Sequence, residues 1–435
     1  MAARITKFGK TLWEHKKKTA FGLYVLYLGA DFAAKWNQNN KFRTVYAERA
    51  LKYGQKPQSA EDRPRRVCVL ANVSAKERGC FDDFKKNVLP LFHLAGIQVD
   101  IIKSESETQL EALAAAVDTQ EADAIYIVGG DGTVGRVVTG IFRNRESAAL
   151  PVGVFPGGYD NVGLKRLVPS VFVNNDARPA CESAMAVIEE RKQDLSVFEF
   201  SLESSEGQPT YGVTDVSGGW FKYIEDKRKK LWYFGPLKRR WAYIWEMIKR
   251  SPEDLIANVT YEDACSGCQK CRATIVPPAP EWRWWYILTG VPKYKETEVR
   301  KDYSGIVNEN CGVEHQLTIK GTELLINNEQ NEDSSHLRLK VGGTETGRFG
   351  VIAEGMRRCS DDIVGYSKSE SFYNIDIVAN AVKLTFTQLP EFLGSVYVSS
   401  DKRDVQNEQT ISVKTTDRKI PVYLPTEITV DVSSV

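Results

Sequence analysis

Between residues 67 and 155, short apolar runs alternate with segments of helical spacing, a rhythm that few architectures accept. Residues 67–71, 99–102, 125–128 and 152–155 are apolar and of strand length. Between them lie 81–95, with Phe84, Val88, Leu91 and Ala95 at helical spacing, then 108–117 and 134–142. Strands joined through crossover helices pair in parallel, so the pattern predicts βαβ units and an α/β domain of three layers, a parallel sheet between helices. In such sheets ligands bind at the carboxyl ends of the strands, beside the helix N-termini.

Those ends carry the motifs. Gly129-Gly130-Asp131-Gly132-Thr133 follows the third run and leads straight into a helix expected from Val134. Glycines let the backbone turn at positive φ and approach a ligand, while the amides and dipole of the following helix favour an anion. Thr133 can cap that helix or donate to a phosphate. A carboxylate repels phosphate unless a divalent cation stands between them, so Asp131 points to Mg²⁺ with a nucleotide; the bland alternative is a tight turn with Asp131 as a helix cap. The fourth run ends in Pro156-Gly157-Gly158-Tyr159-Asp160-Asn161, and the first in Asn72, ahead of Val73-Ser74-Ala75-Lys76-Glu77-Arg78-Gly79. Three loops on one sheet edge suggest a nucleotide site.

The Asn loop, GGDGT and P-x-G at successive strand ends resemble the diacylglycerol kinase catalytic domain family, which includes sphingosine, ceramide and acylglycerol kinases. Within it the mitochondrial acylglycerol kinase branch is most similar, through Trp232-Tyr233-Phe234-Gly235-Pro236-Leu237-Lys238, the segment 89–96 and the basic–apolar start. The resemblance covers roughly residues 1–260. It implies ATP as phosphate donor, with Asn72, Gly129, Gly130, Asp131, Gly132, Thr133, Gly158 and Asn161 at the nucleotide, and Asp131 and Asp194 at Mg²⁺. It also implies an acylglycerol substrate, or a sphingosine or ceramide one, and partners among the subunits of the mitochondrial carrier-protein translocase. This chain departs from the family pattern where Val73 replaces Pro, Tyr159 replaces Thr and Val162 replaces Asp. The family's late D-G-E, the source of its general base, is absent; Asp417 and Glu354 are the nearest substitutes.

From Asp194 onward the helical rhythm gives way to short runs rich in Val, Ile, Thr and Tyr: 195–202, 211–216, 284–288, 316–319, 337–341, 381–386 and 428–432. They predict an antiparallel β-sandwich. The expected domains are therefore 64–190, catalytic, and 191–435, the sandwich for the lipid. One helix interrupts the strands: Leu237, Trp241, Ile244, Trp245 and Ile248 share a face, behind Lys227-Arg228-Lys229-Lys230. That stripe either packs on the sandwich or docks on an anionic membrane. Cys265, Cys268 and Cys271 form C-x-x-C-x-x-C in an insertion near 262–281. Three thiols are one short of a structural zinc site, with Cys311 and Cys359 unplaced, so the alternatives are zinc, a redox pair or a plain surface insertion.

Residues 1–18 hold six basic side chains against Glu14, and 20–30 is an apolar run. At ~1.5 Å per residue that run reaches ~16 Å of the ~30 Å hydrocarbon core, too short to span it. A secretory signal, an organelle-targeting segment with an interfacial helix and an ordinary helix compete; the basic, acid-poor start favours mitochondrial targeting with membrane contact, and the resemblance implies a protein held peripherally at the inner membrane or in the intermembrane space. Residues 37–63 are polar and read as a linker. With 58 Lys and Arg against 57 Asp and Glu, the chain lacks the basic excess of a nucleic-acid binder, and 8 Cys in 435 residues do not make a disulfide scaffold. Two function classes remain: a lipid kinase, or an interaction subunit that has lost catalysis. A soluble-substrate kinase such as an NAD kinase fits the apolar start and the Trp-rich helix less well.

Overall fold

The computed structural model describes residues 16–56, 63–75, 79–118, 120–143, 150–203, 208–271, 303, 305–330, 334–360, 367, 369–390 and 393–431. Residues 1–15 of the basic start, the strand expected at 284–288 and part of the Cys-rich insertion lie outside them. Two compact units divide the chain: Met1–Gln193 with Pro421–Val435, and Asp194–Ile420.

The first unit opens with α1, Lys16–Gly54, 39 residues long. The linker expected from residue 37 is therefore helical to Gly54. Its reason is a stripe that polar neighbours concealed: Phe42, Tyr46 and Ala50, four residues apart, are fully buried. The earlier turns of α1 expose Phe21, Tyr24, Leu26, Tyr27 and Phe32. Among the described residues no helix is long and apolar enough to cross a membrane.

β1 (Arg66–Asn72), β2 (Gln98–Ser104), β3 (Ala124–Gly129) and β4 (Val152–Pro156) form the parallel sheet in the order β2-β1-β3-β4. The helix expected over 81–95 is two, α2 (Cys80–Asn87) and α3 (Leu89–Leu94), because Pro90 lacks the N–H and the room that one continuous helix requires there. α4 (Glu107–Ala116), α5 (Asp131–Arg143), α6 (Val162–Leu167), α7 (Pro169–Phe172) and α8 (Arg178–Ile188) complete the layers. Strands covered on both faces need continuous apolar runs, and every residue of β3 is buried.

The last residues of the chain rejoin this unit, where Val422 and Tyr423 pair in parallel with Val152 and Gly153 of β4. The strand expected at 428–432 is irregular over its described part, 428–431. Thr429 there donates its N–H to Glu182 Oε1 at 2.6 Å, and Tyr46 donates its hydroxyl to the same oxygen at 2.7 Å. A buried carboxylate has thus taken the backbone amide that a strand would have used.

The second unit is antiparallel, as expected. β5 (Lys192–Leu202), β6 (Thr210–Gly212), β7 (Asp215–Gly219), α9 (Trp220–Lys227), α10 (Lys238–Lys249), β8 (Leu255–Asp263), β9 (Glu314–Gly321), β10 (Glu323–Gln330), β11 (Ser335–Gly342), α11 (Arg348–Cys359), β12 (Tyr373–Gln388), β13 (Ser395–Val398), β14 (Asp401–Asp404) and β15 (Thr410–Tyr423) follow in order. The long β12 changes partners along its length. Its first half pairs with β11 and extends β14-β13-β7-β10-β11; its second half pairs with β8 and β15. These strands and α9 supply one core, in which Leu324, Leu339 and Phe221 join Val259, Phe386 and Val413.

Candidate nucleotide-binding site

The site is built at the carboxyl ends of β1, β3 and β4. α5 begins at Asp131, three residues before the sequence suggested, so the acidic side chain sits in the first helical turn, where the helix dipole favours it. Asp131 Oδ2 accepts the N–H of Gly163, in the first turn of α6, at 3.1 Å. One carboxylate therefore lies at the start of its own helix and is held by the start of the next.

The two glycine loops meet backbone to backbone. A Cβ on Gly158 would stand 2.8 Å from Gly130 Cα, and one on Gly130 would stand 3.0 Å from Gly158 Cα. Positive φ, expected from the sequence, is not the reason for these glycines: neither is among the residues with left-handed backbone. Close approach is. Asn161 does take φ 51° at the start of α6. Its Oδ1 accepts the Gly158 N–H at 2.7 Å, and its Nδ2 donates to the Pro156 carbonyl at 3.1 Å. Asn tolerates this conformation because its short amide satisfies the neighbouring backbone.

The first loop is tied in from beneath. Asn72 and Thr133 are both buried, and Asn72 Nδ2 donates to Thr133 Oγ1 at 3.0 Å while its Oδ1 accepts the Ser74 N–H at 3.0 Å. Asn72 thus joins β1 to the GGDGT turn. Gly130, Asp131 and Gly132 are half-buried and reach solvent.

Asp194 lies on β5 in the second unit, exposed, with its carbonyl accepting from Gln330 Nε2 at 2.9 Å. Of the two substitutes for a general base, Glu354 is excluded. It is buried in α11 and accepts Arg358 Nε at 3.0 Å, a structural ion pair within its own unit. Asp417 is exposed on β15.

Sequence reasoning missed a polar cavity of about 380 Å³ beside the third loop, lined by Arg43, Asn87, Asn161, Lys165 and Asn174 among others. Arg43 was hidden in the supposed linker. Its Nε donates to Asn87 Oδ1 at 2.7 Å, and only the helical run of α1 brings it there.

A parallel sheet with two opposed glycine loops and an acidic residue between helix starts is an arrangement suited to an anionic ligand. The family model described as the diacylglycerol kinase catalytic domain matches residues 66–198, and the chain belongs to that family of lipid kinases. An uncharacterized protein of Caenorhabditis elegans is 54% identical over 98% of both chains. The mitochondrial acylglycerol kinase of Homo sapiens is 29% identical over 59% of this chain and 60% of its own length. A solved diacylglycerol kinase structure from Bacillus anthracis covers 82% of this chain and 96% of its own, at 11% identity and a TM-score of 0.47.

Proposed function

We propose that this protein transfers phosphate from ATP to monoacylglycerol and diacylglycerol, giving lysophosphatidic and phosphatidic acid, at a mitochondrial membrane. The observation that carries this reading is the opposed Gly130–Gly158 backbone with Asp131 held by Gly163. Side-chain-free backbone allows phosphates to approach, and the first turns of α5 and α6 supply amides. The donor set fits Mg²⁺, a hard cation that takes carboxylate and phosphate oxygens; when bound it neutralises charge on the transferred phosphoryl group. Asp131 would hold it. This chain's own contribution is positioning: Asn72 and Asn161 fix the loops, and Gly163 orients Asp131.

The lipid and membrane parts of the reading rest on α10. Of the stripe expected to be either core or membrane anchor, Ile248 is 63% exposed, Leu237 58% and Trp245 39%, while Trp241 and Ile244 are half-buried; Trp232, just ahead of the helix, is 75% exposed. α10 instead buries Ala242, Tyr243, Glu246 and Met247. Exposed Trp and Ile beside Lys229 and Lys230 suit an anionic lipid surface, and the aromatic face of α1 supplies a second attachment. The kinship with mitochondrial acylglycerol kinases favours glycerolipid and mitochondrion over sphingosine or ceramide.

A second reading, a carrier-translocase subunit without catalysis, is favoured by one observation: Glu354, a substitute for the missing base, is consumed by Arg358. Transfer from labelled ATP with Mg²⁺ to mono- and diacylglycerol, sphingosine and ceramide in mixed micelles separates the two. The expected result is glycerolipid phosphorylation that falls by a factor of about 10² or more in Asp131→Asn. No transfer to any lipid by the wild type rules out the kinase and leaves the subunit reading.

A further inference from the structure

The C-x-x-C-x-x-C run, which the nucleotide site leaves unused, acquires its fourth member in three dimensions. β8 ends at Asp263 and β9 begins at Glu314, paired so that Glu262 lies opposite Glu314. Cys265 stands just after the first strand and Cys311 just before the second. The hairpin register therefore delivers Cys311 to the cluster from a distant part of the sequence. Cys359, the other unplaced candidate, lies on α11 and is not part of the cluster.

The four Sγ atoms of Cys265, Cys268, Cys271 and Cys311 all lie within 4.8 Å of one another, and all four are free thiols. Cys268 and Cys271 sulfurs are 3.7 Å apart, and Cys271 and Cys265 sulfurs 3.8 Å. Four sulfurs at about 2.3 Å from a tetrahedral zinc stand about 3.8 Å from each other. We infer that Cys265, Cys268, Cys271 and Cys311 form a structural zinc site that clasps the neck of the β8–β9 hairpin.

The surroundings suit thiolates. The Cys268 N–H donates to Cys271 Sγ at 3.3 Å, and Asn308 Nδ2 donates to Cys265 Sγ at 3.4 Å, so donors already face the sulfurs. Cys268 and Cys311 are buried, which shields the sulfurs from solvent. On binding, the four thiols release their protons to solvent and leave four thiolates on one Zn²⁺, with no change of oxidation state. Closing residues 272–310 into a loop at its base would stabilise the unit chiefly through chain entropy. The site is independent of the proposed phosphotransfer.

Metal analysis of the full-length protein purified under reducing conditions without chelators tests this. The expected content is about one zinc per chain, falling to about 0.2 or less in Cys311→Ser and unchanged in Cys359→Ser. Replacing zinc by Co²⁺ should give the intense visible and thiolate-to-metal bands of a tetrahedral tetrathiolate. Should Cys311→Ser fail to fold, titrating the wild type with a mercurial thiol reagent should release one zinc per chain to a chromophoric chelator. A wild type with about 0.1 zinc or less, with iron instead, or with these cysteines paired as disulfides by mass spectrometry overturns the assignment.

Discussion

The glycine rim of the first unit and the helical layer of the second solve opposite problems. At the rim the two loops approach backbone to backbone, held by amide side chains and by the absence of Cβ atoms at Gly130 and Gly158. In the second unit, α9, α10 and α11 are held by buried charge. Arg358, with no exposed surface, donates from both terminal nitrogens to Glu323 at 2.7 Å each, from Nε to Glu354, and stacks 3.8 Å from the Phe221 ring centre. Glu225 accepts from Arg239 and Tyr243 and pairs with Arg228. The rim is organised by what is left out and tolerates no added atom. The helical layer is organised by complementary charge and tolerates no removed one.

Substitutions that test this difference rank in expected size. Arg358→Met should have the largest effect on stability, roughly 3–5 kcal/mol, because Glu323 and Glu354 are left charged and buried. Denaturant unfolding measures it, and a loss below about 1 kcal/mol would mean that the pairs merely fill space. Gly158→Ala should cost less, about 1–3 kcal/mol, through the clash with Gly130 and Asn161. Its nucleotide affinity should fall further than its stability does; wild-type affinity would show that the loops need not touch.

The charged layer also predicts a pH dependence. Burial would raise the Glu225 carboxyl, but Arg228 and Arg239, with the Tyr243 hydroxyl, outweigh it and hold the group below its ordinary range. A depressed carboxylate stabilises the fold above its unfolded pKa, near 4.5, and that contribution is lost as pH falls through the folded value. Thermal unfolding of the wild type should weaken across this acidic window more than that of Glu225→Gln, and parallel curves would refute it. The smallest change in stability is expected for Ile248→Ser, within about 0.5 kcal/mol, since the side chain is exposed. Binding to anionic vesicles should nevertheless drop, and unchanged co-sedimentation would remove α10 from the membrane reading.

Much of the first unit was legible because its signals are contiguous. The four apolar runs are strands with ends within a few residues of those expected; β1, β3 and β4 are buried nearly throughout and so must be apolar throughout, while β2 is partly exposed. Asn72, Asp131 and Asn161 likewise sit together because parallel strands deliver their carboxyl ends to one edge. The failures lie where partners are distant. Phe42, Tyr46 and Ala50 looked like parts of a polar linker until packing of the rest of the unit against α1 was visible, and 428–431 looked like a strand until Glu182 claimed its amide. Glu354 looked like a substitute base while Arg358, one turn away, was not seen to need it.

The sequence by itself determined the architecture of the first unit, the rim of glycine, asparagine and aspartate, and the family to which the chain belongs. These depend on spacing along one stretch of backbone. Only the tertiary structure decided which face of α10 is buried, that residues 421–423 return to β4, and that Cys311 meets Cys265, Cys268 and Cys271. Each of these depends on which distant surfaces compete for the same apolar area, hydrogen bond or neighbouring sulfur, and local periodicity carries no record of that competition.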